Sequence, residues 1–265
     1  MKQKIFLACI GAAIAALVGC GEKAAAPQDQ PKSQAPAINP AFLKVAQNLV
    51  LEDIALSAEG ADAVTPKEKA LHNLNIFLSV ESKQLAREYD DNEVAADQKY
   101  KKTGSYLLVS GSVTGISKDF IGDPYVTLQG HQLLHDVQAR FEKSDNSELA
   151  SFKKGQHVLF VCEVSNKIMT QVMLRKCATL PAHAEAVRGN IDKYVAEVLA
   201  GKVKPSAEGA DLISLGYVAA QNLPEGSPCF NDVKAEACVK QLTSTVGNKE
   251  LQEKAKAMSA KLQGV

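Results

Sequence analysis

The chain lacks an excess of charge of either sign. Its 265 residues include 30 Lys and Arg and 30 Asp and Glu, so the formal net charge is zero. Proteins that bind nucleic acid or anionic lipid usually carry a basic excess, because they neutralise phosphate groups. The composition therefore argues against nucleic acid as the main partner.

The chain also lacks the short motifs that mark common active sites. It contains no nucleophile elbow, no paired-carboxylate motif, no glycine-rich phosphate loop and no HExxH zinc motif. Serine, histidine and aspartate are present, but their spacing along a single sequence cannot assemble a catalytic triad. We therefore predict a protein that is not an enzyme and that uses no cofactor.

The N-terminal apolar run, Ile5 to Val18, is too short for a stable membrane span. It follows a short basic start with Lys2 and Lys4 and ends in small residues, which is typical of a signal peptide. The segment Leu17-Val-Gly-Cys20 resembles the lipobox of bacterial lipoproteins. This resemblance implies a signal peptide over residues 1–19 and a lipid on Cys20. The alternative is a plain secretory signal with an incidental cysteine.

Residues 20–40 begin with the predicted lipidated cysteine and are rich in Ala, Pro, Gln and Lys. This composition predicts an extended, disordered tether. Lipoproteins carry two or three acyl chains, which hold a protein firmly at a membrane. Gly21 stands where an aspartate would favour inner-membrane retention in enteric bacteria, so we expect the outer membrane, facing the periplasm.

Four of the six cysteines lie beyond this region: Cys162, Cys177, Cys229 and Cys238. An even number in an oxidising compartment predicts two disulfides; free thiols and a zinc site are the alternatives. The absence of a Cys-x-x-Cys pair argues against zinc. Cys162 and Cys177 lie on the two arms of a predicted hairpin, and Cys229 and Cys238 bracket a short segment. We therefore predict these two pairs.

Hydrophobic spacing divides the rest of the chain into three segments. Residues 41–98 and 181–265 show helical periodicity, whereas residues 99–180 alternate with a period of two, as strands do. In the first segment, a capping box at Thr65–Glu68 predicts a helix whose apolar side includes Leu71, Leu74, Phe77 and Leu78.

The middle segment predicts five strands with a short helix between the third and the fourth, which is the order of the OB fold. Gly111 and Gly115 lie inside the first strand and predict the bends that a small closed barrel needs. The predicted fold class is α+β: a five-stranded OB barrel flanked by N-terminal and C-terminal helical segments.

Four runs between Leu85 and Leu180 are distinctive as a set: YDDNEVAADQKY, VSGSVTGISKDFIGDPYVTL, VQARFEKSDNSELASFKKGQ and NKIMTQVMLRKC. Together they resemble the bacterial tRNA-anticodon-like OB-fold family. The resemblance implies an OB barrel preceded by a helix, but no agreed ligand and no catalytic residues. Ala139 stands where a strand-three cysteine would be expected, so no disulfide is predicted there.

The connection between the first two strands flanks the binding face of an OB fold, as does the connection from Asn166 to Thr170. The candidate binding face combines aromatic and cationic side chains: Lys118, Phe120, Tyr125, Arg140 and Lys167. The alternative is that Phe120 and Ile121 fold back to cap the bottom of the barrel or the neighbouring helix and that Gly122-Asp123-Pro124 is only a turn. We favour this structural interpretation of the loop.

His131 and His135 have the spacing of metal ligands on a helix, but they lie in a predicted connection between strands. We therefore expect solvated loop histidines and no metal. The predicted function is a non-catalytic, lipid-anchored envelope protein that uses its OB module to bind a periplasmic protein, peptide or glycan. The alternative, from the general habit of the fold, is a nucleic-acid-binding protein.

Overall fold

The computed structural model of the protein describes residues 38–142 and 146–264. The predicted signal peptide, Cys20 and residues 21–37 of the predicted tether lie outside the described residues. The described chain forms two compact units. The helical unit contains the described residues up to Ala70 and from Val187 onward, and the barrel unit contains Leu71–Ala186. The predicted helical segment 41–98 is thus divided between the two units.

The elements of the chain alternate between mainly helical and mainly β regions. Before the barrel strands they are α1 (Pro40–Glu59), α2 (Lys67–Asn73), β1 (Ile76–Glu81), α3 (Ser82–Asp91) and α4 (Glu93–Tyr100). The barrel region contains β2 (Tyr106–Lys118), β3 (Pro124–Leu128), β4 (Val137–Phe141), α5 (Asn146–Leu149), β5 (His157–Ile168) and β6 (Gln171–Thr179). After it come α6 (Leu180–Leu199), α7 (Ala207–Gln221), a 3-10 turn (Pro228–Phe230), α8 (Glu236–Val246) and α9 (Lys249–Gln263).

Strands β2 to β6 form a closed barrel in the order β2-β3-β4-β6-β5, with β5 returning to β2. The pairing of β4 with β6 is parallel, and the other pairings in the barrel are antiparallel. Helix α5 lies between β4 and β5 in the chain. This topology is that of an OB fold, and the predicted α+β fold class is confirmed.

The barrel closes because β2 bends and pairs with two different strands of the barrel. Its first half pairs with β5, from Leu107 opposite Cys162 to Ser112 opposite His157. Its second half pairs with β3, and the register shifts between Val113 and Gly115. A Cβ atom on Gly111 would lie 2.3 Å from the Ser82 Oγ, so α3 can approach the bend only over a glycine.

A sixth strand corrects one part of the sequence prediction. Phe77 and Leu78 do not continue the helix that begins at Lys67, because α2 ends at Asn73 and β1 pairs parallel with β2. Asn75 makes the break: its φ is 56°, its Nδ2 donates to the Gly104 carbonyl at 2.8 Å, and its own carbonyl accepts from the Tyr106 amide. An asparagine tolerates this left-handed conformation better than most residues do.

Alternate side chains of the strands fill the barrel. Fully buried members of its core include Leu107, Val109, Val126, Leu128, Phe160 and Leu174. The Phe141 and Phe160 rings meet edge to face at 4.9 Å between centroids. The predicted Cys162–Cys177 disulfide is confirmed and lies inside this core, where the β5–β6 register shifts.

The helical unit has a core of its own. It includes buried side chains of α1, α7, α8 and α9: Val45, Leu49, Leu215, Val218, Leu242 and Leu251. The Phe42 ring contacts the rings of Tyr217 and Phe230. The predicted Cys229–Cys238 disulfide is also confirmed, and it ties the 3-10 turn to α8.

Removing the barrel disulfide should loosen the barrel. A crosslink that closes a loop of about 15 residues contributes about 3 kcal/mol in the chain-entropy picture, and the Cys162–Cys177 separation is 15 residues. We expect Cys162→Ala/Cys177→Ala to raise the exchange of the most protected β5 and β6 amides by roughly 100-fold. Hydrogen exchange by mass spectrometry measures this for the barrel alone. Cys229→Ala/Cys238→Ala is the matched control, and equal effects of both pairs on β5 and β6 would contradict the prediction.

His183, near the start of α6, is buried within the barrel unit. Its Nε2 donates to the Leu74 carbonyl at 2.7 Å, and its ring meets the Tyr106 ring at 4.8 Å between centroids. Burial lowers the pKa of His183, and the hydrogen bond to Leu74 opposes this shift only in part. The folded protein therefore holds this imidazole neutral more strongly than the unfolded chain does.

The linkage between this pKa and folding predicts a pH dependence. The unfolded chain takes up the proton near pH 6.5, whereas the folded chain takes it up at lower pH. The contribution of neutral His183 to stability is therefore present above about pH 6.5 and is lost as the pH falls toward the pKa of His183 in the folded protein. We expect the loss in the free energy of unfolding between pH 7.5 and pH 5 to be smaller in His183→Gln than in wild type. Urea unfolding at both pH values measures it; His157→Gln, at an exposed histidine, should behave like wild type.

Candidate functional site

The outer face of β3 and β4 is polar and carries two of the predicted binding residues. Val126 and Leu128 of β3 point into the barrel, so Tyr125 and Thr127 lie on the outside. Tyr125 and Arg140 are opposite each other in the β3–β4 register. The structure thus brings these two predicted residues together, and Lys118 is opposite Pro124 at the adjoining end of β2.

The β2–β3 loop at this end is stabilised by one side chain. The Asp119 carboxylate accepts hydrogen bonds from the backbone amides of Ile121 and Asp123, at 3.1 and 2.9 Å. It also lies 3.6 Å from the Arg140 guanidinium. Gly122 adopts a φ of 88°, which a residue with a side chain would find strained. The loop is therefore held by polar contacts.

Because these polar contacts hold the turn without apolar packing, its apolar side chains are exposed to solvent. Phe120 is 97% exposed and Ile121 is 58% exposed. Our favoured interpretation, that both fold back to cap the barrel, is wrong. The Asp119 hydrogen bonds fix the backbone in a conformation that projects Phe120 outward.

A second set of exposed apolar side chains lies at two other connections of the barrel. Leu133 and Leu134 in the β3–β4 connection are 88% and 70% exposed, and Ile168 and Met169 at the β5–β6 turn are 50% and 92% exposed. The Thr170 Oγ1 donates to the Leu134 carbonyl at 2.7 Å, so the two connections are in contact.

Two of these exposed residues have a strained backbone. Leu134 has a φ of 68° and Met169 a φ of 54°. Non-glycine residues in this region cost on the order of 1–3 kcal/mol and concentrate at functional sites. Neither side chain gains burial in return, which makes these two connections candidates for binding.

Lys167 does not join the other predicted binding residues. Across the sheet, Lys167 is level with Val172 of β6 and with Val137 of β4. Arg140 lies three residues beyond Val137 along β4, which is a further distance of about 10 Å along the strand. The Lys167 Nζ binds the Asp90 Oδ1 at 2.6 Å and donates to the Tyr89 carbonyl at 3.3 Å. The structure therefore separates Lys167 from Lys118, Phe120, Tyr125 and Arg140.

Asp90 is the centre of a polar cluster that the sequence did not predict. His135 Nδ1 hydrogen-bonds to the Asp90 Oδ2, and His131 Nε2 lies 3.4 Å from the same oxygen. The side chains of His131 and His135 are only 8% and 26% exposed, so the expectation of solvated loop histidines is wrong.

The contacts of Asp90 also set its electrostatics. Burial raises the pKa of Asp90, but hydrogen bonds from Lys167 and His135 outweigh burial and hold the pKa below its usual value. Asp90 is therefore a carboxylate at neutral pH. Its distance of 45 residues from His135 in the chain hid the cluster from motif analysis.

A basic cleft lies on another part of the barrel unit. It is lined by residues of the α4–β2 connection and of β5 and β6, among them Lys101, Lys102, Arg175 and Lys176. Glu163 pairs with Arg175 at 3.2 Å and with Lys176 at 3.0 Å, so the positive charge of the cleft is partly neutralised. Across residues 93–180 the sequence has 11 basic and 9 acidic residues, a surplus of two.

The comparison with protein families agrees with the barrel. The tRNA_anti-like family model matches residues 1–178. A solved structure from Klebsiella pneumoniae subsp. pneumoniae, described as a "putative nucleic acid-binding lipoprotein", is 18% identical. It matches 43% of this chain and 98% of its own, with a TM-score of 0.33, too low for its properties to be transferred. No curated protein matches the chain. Within residues 38–142 and 146–264, no helix is long and apolar enough to cross a membrane.

Proposed function

The chain belongs to the tRNA_anti-like family, and from this premise we propose a non-catalytic protein of the cell envelope, anchored by lipid on Cys20. Its OB module binds a periplasmic partner: a protein, a peptide or a glycan. The anchor, the compartment and the partner are the proposal.

The observation that carries the binding function is the distribution of exposed apolar side chains. Seven large hydrophobic residues of the described chain are exposed, and six of them lie in or directly beside three connections of the barrel. They are Phe120, Ile121, Leu133, Leu134, Ile168 and Met169. Groups of exposed apolar residues commonly mark interaction sites. Apolar loop tips around a polar strand face favour a polypeptide over a polyanion.

The anchor is supported by the N-terminal sequence. A basic start, a short apolar run and the order Leu17-Val-Gly-Cys20 occur together at the position expected for a lipoprotein signal. Gly21 supports the outer membrane, facing the periplasm. These residues lie outside the described part of the chain.

A second candidate function has one observation in its favour. The cleft lined by Lys101, Lys102, Arg175 and Lys176 presents positive charge to solvent and would suit a polyanion such as single-stranded nucleic acid. The small basic surplus weakens this candidate, because nucleic-acid affinity rests mainly on phosphate neutralisation. Phe120 and Met169 would also have no role in the cleft.

The anchor predicts the fate of the Cys20→Ala variant. Wild type should incorporate a labelled fatty acid and remain with the membrane fraction. Cys20→Ala should lose both the label and the membrane attachment, because the acyl chains supply the attachment. Metabolic labelling followed by fractionation measures this. Label and membrane association that persist in Cys20→Ala would contradict the anchor.

The binding site predicts position-specific crosslinking in cells. A photoreactive phenylalanine analogue at position 120 or 169 should capture a polypeptide, whereas the same analogue at exposed position 240 of the helical unit should not. The captured partner, once identified and purified, should bind the full-length protein. Phe120→Ser should weaken that binding by more than about 1 kcal/mol. The Phe120→Ser substitution should change the free energy of unfolding by less than about 0.5 kcal/mol, since surface positions contribute little to stability.

The same experiment separates the two candidate functions. A protease-sensitive adduct that survives high salt supports the polypeptide site. A nuclease-sensitive adduct would contradict the polypeptide site. Salt-dependent binding of single-stranded DNA or RNA would also contradict it, if that binding is lost in Arg175→Gln/Lys176→Gln and kept in Phe120→Ser. That second result would assign the function to the basic cleft.

A further inference from the structure

Two imidazoles and one carboxylate converge beside the β3–β4 connection. His131 and His135 come from this connection, and Asp90 comes from the last turn of α3. Each offers one ligand atom, and the three atoms lie within 4.8 Å of one another. The two rings meet edge to face, with centroids 5.4 Å apart. We propose that Asp90, His131 and His135 bind a divalent transition-metal cation, with zinc(II) as the best match.

The ligand chemistry fits this class of ion. Zinc binds histidine nitrogen and carboxylate oxygen at about 2.0–2.2 Å, so ligand atoms around a tetrahedral ion lie roughly 3.3 Å apart. The His131 Nε2 to Asp90 Oδ2 distance is 3.4 Å, which already suits such a geometry. His135 would exchange its hydrogen bond to Asp90 for a bond to the ion, by a small outward shift. A water would complete the coordination.

The state of His131 points to a ligand. Its side chain is 8% exposed, and its Nδ1 is buried without a hydrogen-bond partner among the described residues. The other nitrogen lies 3.4 Å from Asp90, which is long for a hydrogen bond. A buried imidazole with neither nitrogen in a good hydrogen bond is costly unless it has another role. An ion between His131 and Asp90 would bind the Nε2 and would leave only the Nδ1 of this imidazole without a partner.

Lys167 orients the carboxylate and limits the affinity. Its Nζ holds the Asp90 Oδ1 at 2.6 Å, which leaves the Oδ2 facing the two histidines. Its positive charge opposes the incoming cation. The site therefore suits an exchangeable ion better than a permanent structural one.

Metal binding would act on the loop between the two histidines. His131 and His135 bracket Leu133 and Leu134, and Thr170 connects Leu134 to the β5–β6 turn. An ion would therefore fix the exposed apolar side chains of these connections to α3. This consequence rests on the proposed binding function, whereas the metal site itself does not.

Calorimetry with the full-length protein in detergent tests the site. After chelator treatment and dialysis, zinc chloride should bind with one ion per chain, and native mass spectrometry should confirm the stoichiometry. His131→Gln and His135→Gln should each weaken binding by more than the 10–100-fold that is typical for loss of an outer-shell partner. His157→Gln, which removes an exposed histidine elsewhere on the barrel, is the matched control and should bind like wild type.

The charge of Lys167 gives a test in the opposite direction. Lys167→Met should strengthen zinc binding by on the order of tenfold, because a unit charge about 5 Å from a divalent ion opposes binding by this order. Circular dichroism checks that each variant is folded, and Asp90→Asn replaces any histidine variant that is not. The proposal is overturned by an absence of zinc binding in wild type, by binding that survives His131→Gln/His135→Gln, or by weaker binding in Lys167→Met. Crosslinking from position 120 does not depend on zinc binding. Failure of the metal site and failure of the proposed binding function can therefore be distinguished.

Discussion

The bend in β2 is the constraint on which the barrel unit depends. A single strand of 13 residues pairs with β5 along its first half and with β3 along its second half, and the register shift near Gly115 lets it do both. Without the bend the sheet would stay open, with two unpaired edges. The close approach of Ser82 to Gly111 also fixes the start of α3 against this strand. The position of Asp90, at the other end of α3, therefore follows from the same bend.

Barrel closure also decides where the connections lie. The strand register places the β2–β3 loop beside the Tyr125 and Arg140 end of the outer face, and the β3–β4 connection and β5–β6 turn beside the Val137 end. The two groups of exposed apolar side chains thus flank a polar strand face. For the proposed binding function, an extended peptide across β3 and β4 would contact apolar groups at both ends and polar groups in between. A rigid loop such as that around Asp119 loses little conformational entropy when it binds.

The sequence predicted those features that depend on local pattern. Period-two alternation and the glycines of β2 predicted five barrel strands, and the hairpin predicted that Cys162 would face Cys177. The errors arose where a distant segment decides the outcome. Phe77 and Leu78 fit a helical stripe, but Asn75 breaks the helix and β1 gains its hydrogen bonds from β2, about 30 residues later. Phe120 was expected to fold back onto the barrel or the neighbouring helix, yet the Asp119 hydrogen bonds hold the loop in a conformation that keeps it outside.

The polar cluster contains one local conflict, which involves Asp90 and the end of α3. Asp90 lies in the last turn of α3, where the helix dipole disfavours a negative charge by about 0.3–1 kcal/mol, and this turn contains no basic residue to compensate. The compensation comes from Lys167, whose Nζ lies 2.6 Å from the Asp90 Oδ1, and from the hydrogen bond of His135 to Asp90. A residue that conflicts with its local helix is expected where tertiary contacts or function require it. Helical periodicity over residues 41–98 gave no sign that a helix ends at Asp91, so the conflict at Asp90 becomes visible only in the fold.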